Sequence, residues 1–537
     1  MNDSDQANLM QAWPVLLVVF ASWLGWSLVA APIPNVNEPH YLAKAKHYWN
    51  NEWCPGDFFL ESSNTHAVFY QTVGLLTLRC SLWQTALIGR IAGFLLLAAG
   101  WTALVRQLTT DRWAPVWTAW LYLLIVCLTE FSGEWIIGGI EAKVFSYAFL
   151  FWSLAELFSG RMIRSGCALG LAISFHPIVG IWGLAAILFA AVATYCGQKS
   201  RAASWRSQLL FGVSVLVLSL PGLVPALGML GQGTSLERLQ GTWLQVFYRL
   251  SHHLDPMDFQ PSGYAAYAGL FLVCLGLERD SRADANRFWF WLILGTAGIG
   301  LMGFLAGIGP RPNSTEMWGW EWRMHVLKFY PFRMIDGLLP VAVSIAIVRR
   351  MSTPASVGAQ PTDDSPQSAA RRNFAGGSRV AWIASGLCFA GTFLTPLVTN
   401  NPSRLTGELE TAWLETCAFI QGKTPHDALV LTPNESWAFH WYAERAEYVA
   451  FKNCPQDPAG IVEWNRRLGF LKDWASDHYS GGYTREELVD LRRTTGITHL
   501  IADRLGPIRI PTLYENAYFR VYAIPTEAGL QTGTRTD

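Results

Sequence analysis

The sequence predicts an α-helical polytopic membrane bundle of about eleven transmembrane segments over residues 1–400, with a C-terminal soluble α/β domain over residues 401–537. Three observations carry that prediction. Hydrophobic residues make up 51% of the chain and charged residues only 15%, against roughly 25% charged in an average soluble domain. Apolar runs of membrane-spanning length recur from the N-terminus to residue 400. After that point, short strand-like runs alternate with amphipathic stretches. The 26 Trp suit rings seated at membrane–water interfaces. A formal net charge of zero gives no bulk attraction to nucleic acid, so none is expected as a partner. The 9 Cys contain no CxxC spacing, which removes support for zinc-ribbon or thioredoxin-like chemistry.

The spans are read in order. Residues 12–31, 113–129, 208–230, 288–308 and 380–399 are apolar and free of charge, while 86–105, 143–158, 264–278 and 334–348 are weaker. The first run has no Lys or Arg before it and no small-residue cleavage site, so it reads as a retained first helix. The stretch 166–196 is too long for one helix and carries His176-Pro177 in its middle. Proline breaks the preceding turn and disfavours helix at the residue before it, so this stretch reads as two helices, 166–175 and 178–196.

Charge supports the split. With it, five loops share one side of the membrane: Arg106 and Arg112; Arg161 and Arg164; Lys199, Arg201 and Arg206; Arg279, Arg282 and Arg287; Arg349, Arg350, Arg371, Arg372 and Arg379. The positive-inside rule makes that side cytoplasmic. The Ser/Pro/Gln/Ala-rich segment 351–378 is then a disordered cytoplasmic linker. The outer face receives loops 32–85, 130–142, 231–263 and 309–333, together with the tail. The chain is expected in the inner (cytoplasmic) membrane with its tail extracytoplasmic. In that tail, strand-like runs at 428–432, 448–451, 498–502 and 518–523 alternate with helical patterns at 405–420, 435–444, 459–475 and 484–495. This pattern predicts a mostly parallel sheet. No glycine-rich phosphate loop and no GxSxG elbow occurs in it, and its expected role is a cap over the bundle.

The residues able to do chemistry gather in the outer loops. Asn37-Glu38-Pro39-His40-Tyr41 follows the first span, with Asp57 further along the same loop. A carboxylate there can take a proton from a sugar hydroxyl, hold a metal, or be an ordinary solvated acid. Pro39 is expected to keep Glu38 in an extended backbone. Gly138-Gly139-Ile140-Glu141-Ala142-Lys143 enters a helix, where an anion could dock or a simple cap could form. His176 sits at the outer turn, as a packing residue or a ligand contact. His252-His253-Leu254-Asp255 resembles a metal cluster only loosely, since adjacent histidines point apart. Trp318-Gly-Trp-Glu-Trp-Arg323 and Lys328-Phe-Tyr-Pro-Phe-Arg333 place rings beside cations. That suits a lipid phosphate, and equally an interfacial amphipathic helix.

In its order of elements the chain resembles the GT-C superfamily of membrane glycosyltransferases: a first helix, a long outer loop with an acidic motif, many further spans and an outer α/β domain. GGIEAKVFSY, SFHPIVGIW, KFYPFR and TPHDALVLTP…YAER…FKN look like an uncharacterised bacterial membrane family related to that superfamily. The resemblance implies sugar transfer, with inversion, from a polyprenyl-phosphate donor to an acceptor, in contact with membrane lipids. It implies that Glu38 is the catalytic base or metal-holding acid. Arg323, Lys328 or Arg333 would stabilise the leaving phosphate, with Glu141, Lys143 and His176 also at the substrate. The family pattern often has two adjacent acids, but here the first position is Asn37. A divalent metal ion would then need Asp57 or Glu141 as its second carboxylate. A transporter or flippase for a lipid-linked substrate, and a non-catalytic assembly protein, are the alternatives. No internal repeat favours the transporter.

Overall fold

A computed structural model describes residues 3–35, 37–196, 204–278, 284–352, 383–394, 405–433, 437–477, 482–503 and 506–526. The chain divides into two compact units. The first comprises Met1–Pro32, Ile88–Val224 and Val246–Thr399; the second comprises Ile33–Leu87, Pro225–Gln245 and Asn400–Asp537. The second unit therefore takes in more than the tail. The expected linker at 351–378 lies, from residue 353 onward, outside the described residues.

Each apolar run read from the sequence contains a helix where it is described, and the break at His176-Pro177 separates Met162–Phe175 from Pro177–Cys196. By length and apolarity alone, the described residues single out fewer spans than the expected eleven. Five helices have the length and apolarity to cross a membrane: Trp13–Ala30, Leu82–Leu108, Pro177–Thr194, Trp205–Leu230 and Asp284–Gly307. Glu321–Lys328 and Arg333–Met351 make a sixth if this pair, bent by 43°, counts as one span. The chain is thus a multi-pass membrane protein. Ala114–Leu128, with 15 residues, and Met162–Phe175, with 14, are shorter apolar helices below that length.

Helices of the first unit pack through small residues and rings, as expected where lipid removes the hydrophobic drive between helices. Trp23 meets Trp101 edge-on with centroids 5.3 Å apart, and the Trp101 indole donates to the Pro115 carbonyl at 3.0 Å. Gly166 and Gly170, four apart on Met162–Phe175, lie against Trp205–Leu230. A Cβ on Gly166 would fall 2.6 Å from the Phe211 carbonyl oxygen, and one on Gly170 would fall 2.8 Å from Leu218 Cβ. Gly222 answers from the other helix, where a Cβ would reach within 1.9 Å of the Ser174 oxygen.

The second unit is built on a five-stranded sheet: β1 Leu429–Leu431, β2 Ala446–Glu447, β3 His499–Ala502, β4 Thr512–Glu515 and β5 Arg520–Ala523, in the order β2-β1-β3-β5-β4. β1 pairs in parallel with β2 and β3, while β5 runs antiparallel to both β3 and β4. The sheet is therefore mixed rather than mostly parallel. The reason lies in the β4–β5 connection, too short for a crossover, so the pair is antiparallel. Asn516 holds this turn by accepting from the Tyr518 and Phe519 amides at 3.1 and 2.9 Å.

Strand alternation sends Leu431, Leu500 and Tyr522 into one core with Trp464, Leu488 and Leu491. Val430, Ile501 and Val521 enter the other core with Trp413, Cys417 and Phe439. Helices Pro458–Asp477 and Arg485–Thr495 cover the first face; Gly407–Lys423 and Phe439–Ala443 cover the second. Arg485–Thr495 opens with a Thr484/Glu487 capping box and ends at Gly496 with φ +79°, the start and stop signals expected of an isolated short helix.

Candidate functional site

The first unit gathers ionisable side chains from three separated segments. The clamp is Asp336, buried in the first turn of Arg333–Ser352. Its carboxylate accepts the Ser132 amide at 3.0 Å, the Ser132 hydroxyl at 2.8 Å and the Glu134 amide at 2.8 Å, along with the Tyr267 hydroxyl. Between those two amides, Gly133 adopts φ +73°, and a Cβ there would lie 2.5 Å from the His253 ring. Only glycine fits this left-handed, crowded position. The turn so fixed presents Glu134, whose carboxylate lies 3.5 Å from Lys143 Nζ and 3.0 Å from Arg333 Nε. Lys143 also lies 3.6 Å from Glu141, the extended N-cap residue of Ala142–Phe158, and 3.9 Å from the centre of the Trp135 ring.

Arg333 continues the cluster. Its Nη1 is 3.1 Å from His176 Nε2, and its guanidinium stands 4.2 Å from the Tyr330 ring. A guanidinium only donates, so Nε2 of His176 is the accepting nitrogen. Tyr330, at φ +53°, turns the chain between the helices Glu321–Lys328 and Arg333–Ser352. Glu141, Lys143, His176 and Arg333 are thus brought together as one set, with two carboxylates facing two cations. Buried ionisable groups among apolar helices are costly and mark sites that bind or move something. The second oxygen of Glu134, Oε1, is buried and has no hydrogen-bond partner among the described residues.

Arg323 and Lys328 are engaged differently. Arg323 donates to the Ala306 carbonyl at 2.6 Å and to that of Ile308, and stacks 3.6 Å from the Trp320 ring. It caps the carbonyl end of Asp284–Gly307, an ordinary use of arginine. Lys328 is half-buried, and no acceptor among the described residues meets its ammonium.

The second unit holds the two carboxylates of the first loop. Glu38 is fully buried and opens the helix Glu38–Trp49, where its Oε2 accepts the Asn35 amide at 2.7 Å. Pro39 therefore does not hold Glu38 extended. At the first turn of a helix the missing proline N–H is no loss, and the ring starts the helix instead. Asp57 is fully buried and spoken for: His440 Nε2 lies 2.5 Å from Oδ2, the Glu447 amide donates to Oδ2 at 2.7 Å, and the Leu60 amide donates to Oδ1 at 2.8 Å. Burial alone would raise the Asp57 pKa, but the His440 charge and these hydrogen bonds hold it below the usual carboxylate range. Burial likewise pushes against the His440 imidazolium, and the Asp57 carboxylate overrides it and raises its pKa. Nearby, Lys44 donates to the Phe59 carbonyl at 2.7 Å and to the Ser62 carbonyl and hydroxyl at 3.0 and 2.6 Å. Burial lowers its pKa to about 7 against the pull of Asp57 and Asp457.

No group of three or more His, Cys, Asp or Glu among the described residues is placed to hold a metal ion. With both oxygens of Asp57 engaged, it does not fit the part of second metal carboxylate. His253, the other metal candidate, has its Nδ1 2.5 Å from the Ser132 carbonyl and serves the Gly133 turn.

Sequence reasoning missed Glu134, the centre of the cluster, and the use made of Asp336. The available signal was a second acid in the loop 130–142, next to a glycine and preceding GGIEAK.

Residues 411–470 match a family described as a domain of unknown function, DUF6798. No curated protein matches the chain. Among solved structures, the chain is similar to ArnT from Cupriavidus metallidurans bound to undecaprenyl phosphate, at 12% identity and TM-score 0.49 over 97% of this chain and 98% of that one. It is also similar to the oligosaccharyltransferase AglB from Archaeoglobus fulgidus, in complex with an inhibitory peptide and a dolichol-phosphate, at 11% identity and TM-score 0.43 over 91% of this chain and 69% of that one. A further likeness is to the Archaeoglobus fulgidus oligosaccharyltransferase complex with Zn and sulfate, at 10% identity and TM-score 0.40 over 91% and 68%.

Proposed function

We propose that the chain is a membrane glycosyltransferase that moves a sugar from a polyprenyl-phosphate-linked donor to an acceptor hydroxyl on the outer face of the inner membrane. The observation that supports a site is the cluster of Glu134, Glu141, Lys143, His176 and Arg333, whose ion pairs run at 3.0–3.6 Å within a unit of apolar helices. The reaction class comes from the sequence resemblance.

Two chemical roles are proposed. Glu38 is the general base. It takes the proton of the acceptor hydroxyl as that oxygen bonds to the anomeric carbon, and the bond from the anomeric carbon to the phosphate oxygen breaks with inversion. Polyprenyl phosphate leaves as an anion. Arg333 and Lys328 supply positive charge for it, with Glu141, Lys143 and His176 arranging the substrate. Asp57 is assigned a structural role through His440, and Arg323 a helix-capping role. A divalent metal ion, if one is used, draws on ligands other than Asp57.

The test is transfer by purified full-length protein reconstituted in lipid, with a panel of synthetic polyprenyl-phosphate sugars and cell-envelope acceptors. Arg333→Gln is expected to lower the rate by about 10²-fold, as loss of a charge-stabilising donor does, while Arg323→Gln stays within about threefold. Equal losses in both variants contradict the assignment.

One feature favours a second reading. Helix breaks at His176-Pro177 and at Tyr330 bring two cluster residues, His176 and Arg333, to broken helix ends, an arrangement that transporters use at their binding sites. A flippase would move a fluorescent polyprenyl-phosphate lipid across vesicle membranes without any new glycosidic bond.

A further inference from the structure

The second unit contains a cavity to which the proposed transfer chemistry assigns no residue. Its position follows from the sheet. β1 is flanked by β2 on one side and β3 on the other, with all three strands parallel. The chain leaves β1 for one neighbour and later returns to the other, so a switch point lies between β1 and β3. In open α/β sheets, ligands bind in the crevice outside the carboxyl ends of the strands at such a point.

The cavity of about 590 Å³ is at that place: Thr432 and Pro433 follow β1, Val449 to Phe451 follow β2, and Asp503 follows β3. The opposite wall comes from the Pro458–Asp477 helix through Lys472, Trp474 and Ser476. The volume falls in the range of roughly 300–1,000 Å³ typical of small-molecule sites.

Its lining points to a ligand class. Pro433, which lines the cavity directly after β1, has no N–H to offer a phosphate oxygen. One cation, Lys472, and one anion, Asp503, leave the polar lining balanced. Two hydroxyls, Thr432 and Ser476, stand among the rings of Phe451 and Trp474. The Thr432 hydroxyl donates to Glu447 Oε1 at 2.5 Å, and Asn453 holds the other Glu447 oxygen at 3.1 Å. With its hydrogen so committed, Thr432 presents an acceptor to the cavity. Acceptors, a cation and ring faces, with no net charge, match a sugar, which carries hydroxyl donors around its edge and C–H groups on its faces.

We propose that this cavity is a binding site for a neutral saccharide. In the glycosyltransferase reading, on which this role rests, it would hold part of a glycan acceptor; binding itself needs neither donor nor base. The experiment is therefore run without donor, on the full chain in nanodiscs free of sugar-headed detergent, and repeated in the Glu38→Gln background. Saturation-transfer NMR is read with neutral trisaccharides of hexose, N-acetylhexosamine and 6-deoxyhexose. At least one is expected to bind with Kd of about 1 mM or tighter, equally well in wild type and Glu38→Gln. Asp503→Asn and Phe451→Ala should each weaken it by about tenfold, and Ser476→Trp, which fills the cavity from an exposed helix position, should abolish it without moving the melting temperature. No binding by any of the three, binding unchanged in all three cavity variants, or displacement by a nucleotide or sugar phosphate but not by a neutral sugar overturns the proposal. Binding without transfer by wild type would retain this site and discard the enzymatic reading.

Discussion

Asp57 and His440 show how much a residue's role depends on partners that sequence separation hides. An acid in the first loop reads equally well as a base, a metal ligand or a solvated charge; its pairing with His440, far along the chain, makes it a structural group within its unit. Glu134 is the converse case, an acid without a motif whose partners Lys143 and Arg333 give it a central place. The Asp57–His440 pair carries a pH dependence whose sign can be worked out. His440 is raised above its ordinary 6.5, so its contribution is whole below about that pH and is lost as pH rises through the folded value. Asp57 is held below its ordinary 3.8, so its contribution is whole above about that pH and is lost as pH falls through the folded value. Melting curves of the full-length protein should therefore show a stability plateau between those limits with a decline on the alkaline side. Asp57→Asn should remove that decline while costing about 3–5 kcal/mol on the plateau, the usual result of leaving one buried charge unpaired. An alkaline decline that persists in Asp57→Asn would show that the pair does not set it.

At the scale of elements, the sequence was legible wherever a local signal is strong. The Thr484/Glu487 capping box and Gly496 bracket their helix, and His176-Pro177 breaks the long apolar stretch where proline chemistry requires. The strand read at 448–451 is displaced to Ala446–Glu447, because pairing with β1 is decided by register rather than propensity. β4 was missed: Pro507 and Pro511 both precede it, and proline demotes a run to non-strand unless it lies at an edge, which is where β4 sits. The span count is not decided by composition, because a short apolar helix sheltered in a bundle has the same composition as a crossing one. Small residues made the packing itself readable only after the helices were placed. Gly170 gives the test. Gly170→Leu must push aside Leu218 and the Val215 carbonyl, 2.8 and 2.9 Å from the new Cβ. Overpacking of this kind costs about 1–3 kcal/mol, visible as a lower midpoint of heat-induced aggregation, whereas Gly228→Ala, where nothing lies within 4 Å, should leave the midpoint unchanged. Equal midpoints for both variants would mean that the two helices are not in contact.

For the whole molecule, five Lys/Arg-bearing loops placed on one side fix the proposed orientation. Reporter fusions at Ser365 and at the C-terminus should report opposite compartments, cytoplasmic for the first; a shared compartment would contradict the topology and remove the outer-face assignment of Glu38. The central claim is transfer from a polyprenyl-phosphate sugar with Glu38 as base. A glutamine there keeps the size and hydrogen-bonding shape of the side chain and removes the base, whose assistance is worth typically about 10²–10⁴ in rate. The most direct measurement is a mass profile of lipid-linked sugars and envelope glycans in three otherwise identical cell lines: wild type, gene deleted, and Glu38→Gln expressed at the wild-type level. One polyprenyl-phosphate sugar should accumulate, and one glycan lose the matching sugar, in both the deleted and the Glu38→Gln lines. Profiles identical in all three lines, or a Glu38→Gln line indistinguishable from wild type, would contradict the claim.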